Sequence, residues 1–266
     1  DFLGTHHHRV VLEPEALCAA LLPATDARAL PGMADVDSSL LYFCRKVAER
    51  HTVALSGECA DEVFGGYPWF ERSELLEADT FPWCPDLEFR RAVVKPELWE
   101  SLQVEDYVQA RYQQSLAEMP ALPGEALWER RRREVGWLSL NWFMSTLLDR
   151  KDRMSMAAGL EVRVPFCDHH LVEYVWNIPW AMKAMNGQRK QVLRDAAEGL
   201  LPEELLRRPK SPYPKTHDPL YEQLVRARLL TILDDRDAPI HSLVDETALR
   251  AGLLSDAGDY GKPWFG

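Results

Sequence analysis

Residues 53–67 read Val-Ala-Leu-Ser-Gly-Glu-Cys-Ala-Asp-Glu-Val-Phe-Gly-Gly-Tyr, and the carboxylates Glu58, Asp61 and Glu62 crowd their middle. If the backbone turns helical at Cys59 or Ala60, these acids stand at the helix start, spaced to share one face. Ser56-Gly57 supplies a turn in front of them. Strand, glycine turn and helix start is the arrangement by which α/β proteins bring a ligand to the carboxyl end of a sheet, where backbone N–H groups meet an anion. Taken alone, the same residues also suit a plain tight turn followed by acids that complement a helix dipole. A second charged cluster, Asp149-Arg150-Lys151-Asp152-Arg153, stands between two apolar segments and reads equally as a structural salt-bridge network. Lys190 falls near the expected amino terminus of a helix, where a cation opposes the dipole and either reaches solvent or meets an anion.

The elements that position these groups follow from hydrophobic periodicity. Residues 51–55 have the length and composition of a buried strand. Residues 40–50 form an amphipathic helix whose apolar face packs on it, with Asp37, Ser38 or Ser39 as the N-cap. Residues 6–12 suggest an earlier strand, entered through three histidines. A helix follows from Glu13 to about residue 22, with Pro14 in its first turn. Residues 1–5 read like a helix end capped by Gly4, as if the chain began inside a longer element. Residues 6–67 therefore suggest strand, helix, helix, strand, loop and helix, a piece of a parallel α/β sheet.

Beyond residue 67 no further strand is expected. Helices are predicted over 71–80, over 97–118 as one or two, over 126–153, over 171–177, from Gln188 onward, and through most of 218–254. Trp137, Leu140, Met144, Leu147 and Leu148 keep helical spacing, so one side of the 126–153 helix is core. Residues 159–166 are short and apolar, with Glu161 and Arg163 embedded. Residues 209–215 are rigid, proline-rich and basic, and form no regular element.

Composition narrows the function classes. The 266 residues carry a net charge of −11, which argues against a general nucleic-acid footprint. The run Arg130-Arg131-Arg132-Arg133 is accordingly read as a solvated or ion-paired face. Cys18, Cys44, Cys59, Cys84 and Cys167 form no C-x-x-C pair and suit a reducing compartment, so a cytoplasmic protein is the default. No apolar run approaches the length of a membrane span, and no membrane partner is expected.

Four ordered blocks carry a family resemblance. Residues 55–67 resemble a signature of glutamine-hydrolysing asparagine synthetases, and residues 147–156 running on to 161–166 resemble another. Residues 190–194 and 208–215 resemble a third and a fourth. The resemblance implies an α/β fold of the adenine-nucleotide α-hydrolase-like, ATP pyrophosphatase type, with a large, mostly helical carboxyl-terminal part. It makes 1–266 a single synthetase domain: 1–67 its partial nucleotide-binding portion, 68–266 its helical portion. Such enzymes adenylate the side-chain carboxylate of aspartate with ATP, then let ammonia from a glutaminase domain attack the acyl-adenylate. By resemblance Glu58 is a general base and Lys190 stabilises charge on the leaving pyrophosphate, both catalytic. Ser56 and Gly57 bind ATP, Asp61 ligates Mg²⁺, and Asp152, Arg153 and Lys210 shape the substrate or phosphate pocket.

The resemblance leaves a homodimer of the full-length protein open. The family's Ser-Gly-Gly-x-Asp-Ser pyrophosphate loop is not in these residues, nor is the glutaminase domain. The chain is therefore expected to be the carboxyl-terminal part of a longer protein, inactive alone and with exposed apolar surface where the first strands would pack. A β-lactam-forming or peptide-cyclising relative and a non-catalytic interaction module are the competing readings.

Overall fold

A computed structural model of the chain describes residues 2–184, 187–209 and 218–254. Helices α1 (Pro14–Ala19), α2 (Leu21–Arg28) and α3 (Ala34–Ala48) precede strand β1 (Val53–Leu55), and helix α4 (Ala60–Phe64) follows it. Next come α5 (Ser73–Leu76), α6 (Glu88–Val93), α7 (Pro96–Leu102) and α8 (Val104–Glu118). Helices α9 (Leu127–Leu138) and α10 (Ser145–Met156) are joined through a π-helical segment, Ser139–Met144. Strand β2 (Glu161–Arg163) leads to α11 (His169–Trp176), α12 (Trp180–Lys183), α13 (Gln191–Ala196) and α14 (Glu203–Leu206). Helices α15 (Pro219–Asp234) and α16 (Glu246–Leu254) complete the described chain.

The sheet is small and parallel. β1 pairs with β2 in the register Val53↔Glu161, Ala54↔Val162, Leu55↔Arg163. Helix α3 explains why one side of it is covered. Its apolar residues Leu40, Leu41, Cys44, Val47 and Ala48 recur at helical spacing. They pack with Ala24 of α2, Met154 of α10, Leu160, and Ala54 and Val162 of the two strands. On the other side Val53 is 41% and Leu55 75% exposed. A second core gathers Tyr67, Trp69, Phe70, Leu76 and Val135. A third joins Ala60, Val63 and Phe64 of α4 to Val175 of α11.

Several expectations are corrected. Residues 6–12 form no strand; they run irregular and largely exposed, with no neighbouring strand to pair with among the described residues. Residues 159–166 do contain a strand, β2. Asp37, Ser38 and Ser39 do not cap α3, which starts at Ala34; they are buried inside it. Ser39 Oγ donates to the Val36 carbonyl at 2.9 Å, the back-bonding that lets a serine sit in a helix. Asp37 lies 3.8 Å from Arg28. Of the helix expected over 71–80, only Ser73–Leu76 forms. Gly4 has the positive φ of a helix cap, but only a turn precedes it.

Other expectations agree with the structure. The 97–118 stretch splits into α7 and α8, where Gln103 takes a left-handed φ of 48°. The 126–153 stretch is helical through the π segment. The arginine run is ion-paired: Arg130 and Arg131 meet Glu134 at 3.1 and 3.0 Å, and Arg133 meets Glu125 at 2.5 Å. No helix among the described residues is long and apolar enough to cross a membrane.

Candidate active site

The turn after β1 is built by backbone constraints at both ends. The Ser56 N–H donates to the Arg163 carbonyl at 2.8 Å, so the ladder with β2 extends one residue past the strand. Gly57 then opens outward, with nothing within 4 Å of where a Cβ would stand. Cys59 takes a left-handed φ of 74° as the N-cap of α4, and this reverses the chain into the helix. Burial, aided by the neighbouring Cys167 thiol, raises the pKa of the Cys59 thiol well above its usual value. Cys59 is therefore a packed thiol and not a nucleophile.

Each acid of the turn has its own partner. Glu58 Oε1 meets Lys151 Nζ of α10 at 3.0 Å, while its Oε2 is buried with no hydrogen-bond partner among the described residues. Asp61 Oδ1 meets Lys190 Nζ at 3.0 Å. Glu62 is 3% exposed and accepts a 2.6 Å hydrogen bond from the Tyr67 hydroxyl. Burial, with the Glu62 charge beside it, pushes the Tyr67 phenol far above its usual pKa, so Tyr67 remains the donor. Asp61 can occupy its position because residue 66 is glycine. A Cβ on Gly66 would lie 1.8 Å from Asp61 Oδ1.

Lys190 is held from outside the turn. It caps α13 in a left-handed conformation, φ 58°. The preceding Arg189 is anchored to Glu71 at 2.8 Å, and Arg194 donates back to the Arg189 carbonyl at 2.8 Å. The anion that a cation at a helix start requires is thus Asp61.

The other expected site residues lie apart from these pairs. Asp152 is exposed. Arg153 turns along its own helix to Asp149 at 2.8 Å. Lys210 falls outside the described residues. Sequence reasoning missed Lys151. It stands three residues before the fully buried Met154, on the core-facing side of α10, whereas Asp152 and Arg153 are rotated away. That spacing was the available signal.

Chemically, the carboxyl end of β1 offers two lysines and two carboxylates beside an open glycine turn. Lysines that only neutralise acids here can exchange them for a ligand's anionic oxygens. No group of three or more metal-ligating side chains occurs among the described residues. Asp61 alone therefore builds no metal cage, and its carboxylate could hold a hard cation only with oxygen ligands supplied from elsewhere.

The chain matches the asparagine synthase family over residues 1–264. It is 49% identical over 266 residues to glutamine-hydrolysing asparagine synthetase 3 of Bacillus subtilis (strain 168), a match covering all of this chain and 43% of that protein. Asparagine synthetase 1 of the same organism is 30% identical over 214 residues, 68% of this chain and 34% of the relative. The glutamine-hydrolysing asparagine synthetase of Mus musculus is 45% identical over 220 residues, 80% of this chain and 30% of the relative. The chain thus spans less than half the length of these relatives, and by its full-length match it belongs to the asparagine synthase family.

Proposed function

We propose that this chain contributes the carboxyl-terminal half of a synthetase site that adenylates the aspartate side-chain carboxylate with ATP and amidates it with ammonia. The products are asparagine, AMP and pyrophosphate. The observation that carries this reading is the double pairing of one short turn, Glu58 with Lys151 and Asp61 with Lys190. Two anionic substrates must be brought together in this reaction; Lys190 is a cation ready to receive phosphate oxygens, while Lys151 holds Glu58.

In this reading residues 1–67 are part of an adenine-nucleotide α-hydrolase-like sheet and residues 68–266 its helical complement, one domain in all. Ser56 and Gly57 let the nucleotide approach the backbone. Lys190 leaves Asp61 for the phosphates, and Asp61 becomes free to hold the metal. Asp61 would hold a Mg²⁺, which would supply positive charge to offset that of the phosphates. Lys151 orients Glu58, whose unpartnered Oε2 accepts a proton from the attacking ammonia. Asp152 and Arg153 shape the substrate or phosphate pocket, the role that the family resemblance also gives to Lys210, which lies outside the described residues. Ammonia comes from a glutaminase domain, as the names of the relatives imply for those proteins.

The test is a chimera in which this chain replaces the matching part of the Bacillus subtilis enzyme. With aspartate, ATP, Mg²⁺ and ammonium it is expected to release AMP and pyrophosphate, and Glu58→Gln should lower kcat by roughly 10²-fold or more. Release of ADP, or an undiminished rate in Glu58→Gln, would overturn the assignment. The 266-residue chain alone is expected to be silent in the same assay.

A further inference from the structure

A cavity of about 450 Å³ is lined in part by Glu62, Val63 and Gly65, and neither Glu58 nor Asp61 is among its walls. That volume is within the range of small-molecule sites. Its walls include Phe70, Leu140, Trp176 and Trp180, with Arg132 and Lys183 among them. Trp180 lies flat enough against Gly65 that a Cβ there would fall 2.5 Å from its ring, and it stacks on Phe70 with centroids 4.8 Å apart.

The polar groups of this cavity are unevenly satisfied. Arg133 is occupied by Glu125 and the Pro120 carbonyl, and Glu62 by Tyr67. Lys183 makes no hydrogen bond or ion pair among the described residues. The Arg132 guanidinium lies 5.8 Å from the Trp180 ring centre and 5.6 Å from that of Trp128. One of its NH₂ groups donates to the Trp128 carbonyl, but its Nε is buried with no acceptor. The Lys183 ammonium and the Arg132 Nε–H are therefore left without acceptors among the described residues, in a cavity whose walls include Phe70, Trp176 and Trp180. A buried donor such as the Arg132 Nε–H is costly unless a ligand supplies the acceptor, and the half-buried Lys183 ammonium gains from one as well.

We propose that this cavity is a second ligand site, which takes a small organic carboxylate with a flat apolar body. The carboxylate accepts from Lys183 and from Arg132 Nε, and the body stacks among Trp176, Trp180 and Phe70. Nucleotide phosphates belong instead to the turn with Glu58 and Asp61, which do not line this cavity. Burial lowers the Lys183 pKa to about 8, so the ammonium form still prevails at neutral pH.

The test is calorimetric titration of the 266-residue chain at pH 7 with phenylacetate and 1-naphthylacetate, each set against its neutral amide. Saturable binding of the acids is expected, with a Kd at least about 10-fold below that of the amides. Lys183→Met and Arg132→Met should each weaken the acids about 5-fold or more and leave the amides unchanged. Equal affinity for acid and amide would overturn the proposal, as would absence of saturable binding up to roughly 10 mM, the weak limit for a specific small ligand. The acid–amide comparison needs no variant, so a variant that fails to fold does not affect it.

Discussion

At the scale of single residues, close approach and burial decide what each position tolerates. Gly66 is a case of close approach. A methyl there would meet Asp61 Oδ1 at 1.8 Å and the Asp61 Cα at 3.0 Å, so the carboxylate and its backbone must both move. Gly66→Ala is expected to cost ~1–3 kcal/mol, the range for overpacking, read as a lowered urea midpoint. In the chimera it should also cut AMP release, because Asp61 loses its place opposite Lys190. Lys183 is a case of burial. Its pKa falls from the usual 10.5 to about 8 in the folded chain. Between those values the unfolded chain binds more protons, so this group makes folding more favourable as pH rises across that window. Below about pH 8 the cost of burying its charge is fully present, with Glu62, Glu125, Glu129, Arg132 and Arg133 around the same cavity. Lys183→Met should therefore raise Tm at pH 7 and lose that advantage as the pH approaches 10.5. A Tm difference that stays constant or widens with pH would contradict this.

At the scale of elements, α4 is the part whose packing and chemistry are hardest to separate. Asp61 and Glu62 are neighbours in sequence but have different partners. One meets Lys190 at the open turn, and the other is sealed under Tyr67. Tyr67→Phe keeps the stacking on Trp69, whose ring centre is 4.1 Å away, and removes only the donor. Leaving the Glu62 carboxylate buried without it should cost ~1–3 kcal/mol in a denaturant melt. A change within error would show that Glu62 has another sufficient donor. Long periodic stretches were legible from the sequence for the same reason that the partners of α4's two acids were not. The apolar stripe of α3 repeats over several turns, and the pattern states which side is core. Along α9 and α10 it does so less well: Trp137, Leu140, Met144, Leu147 and Leu148 are only half-buried, and the buried apolar positions are Val135, Leu138 and Met154. Helix α4 spans only Ala60–Phe64, too short for a pattern to say which acid is buried. β2 was illegible because Val162 alone faces the core, while Glu161 and Arg163 pair with each other at 2.7 Å on the exposed side. The 6–12 run, with Val10, Val11 and Leu12 behind three histidines, reads as a strand in isolation, yet a strand needs a neighbour. Lys151 could be singled out from its charged block only through its spacing to Met154.

At the scale of the whole molecule, the sheet is finished on one side only. Helices α3 and α10 cover Ala54 and Val162, and the opposite face presents Val53 and Leu55 to solvent. A two-stranded parallel sheet with one bare face seldom stands alone, since parallel strands are normally covered on both sides. The surface left bare is continuous with the turn that carries Ser56 and Glu58, so whatever covers it also comes up against the candidate site. This gives Leu55 opposite roles in two settings. In the 266-residue chain Leu55→Ser should leave the urea midpoint within ~0.5 kcal/mol of the parent, because the side chain is already 75% exposed. It should also reduce concentration-dependent self-association in sedimentation velocity, since an exposed apolar strand face is an adhesive surface. In the chimera, where the amino-terminal part of the Bacillus subtilis relative is present, the same substitution should cost about 1–2 kcal/mol, as burial of a leucine is lost. A cost that is equal in both settings would mean that nothing packs on β1 and that the site is completed from another direction.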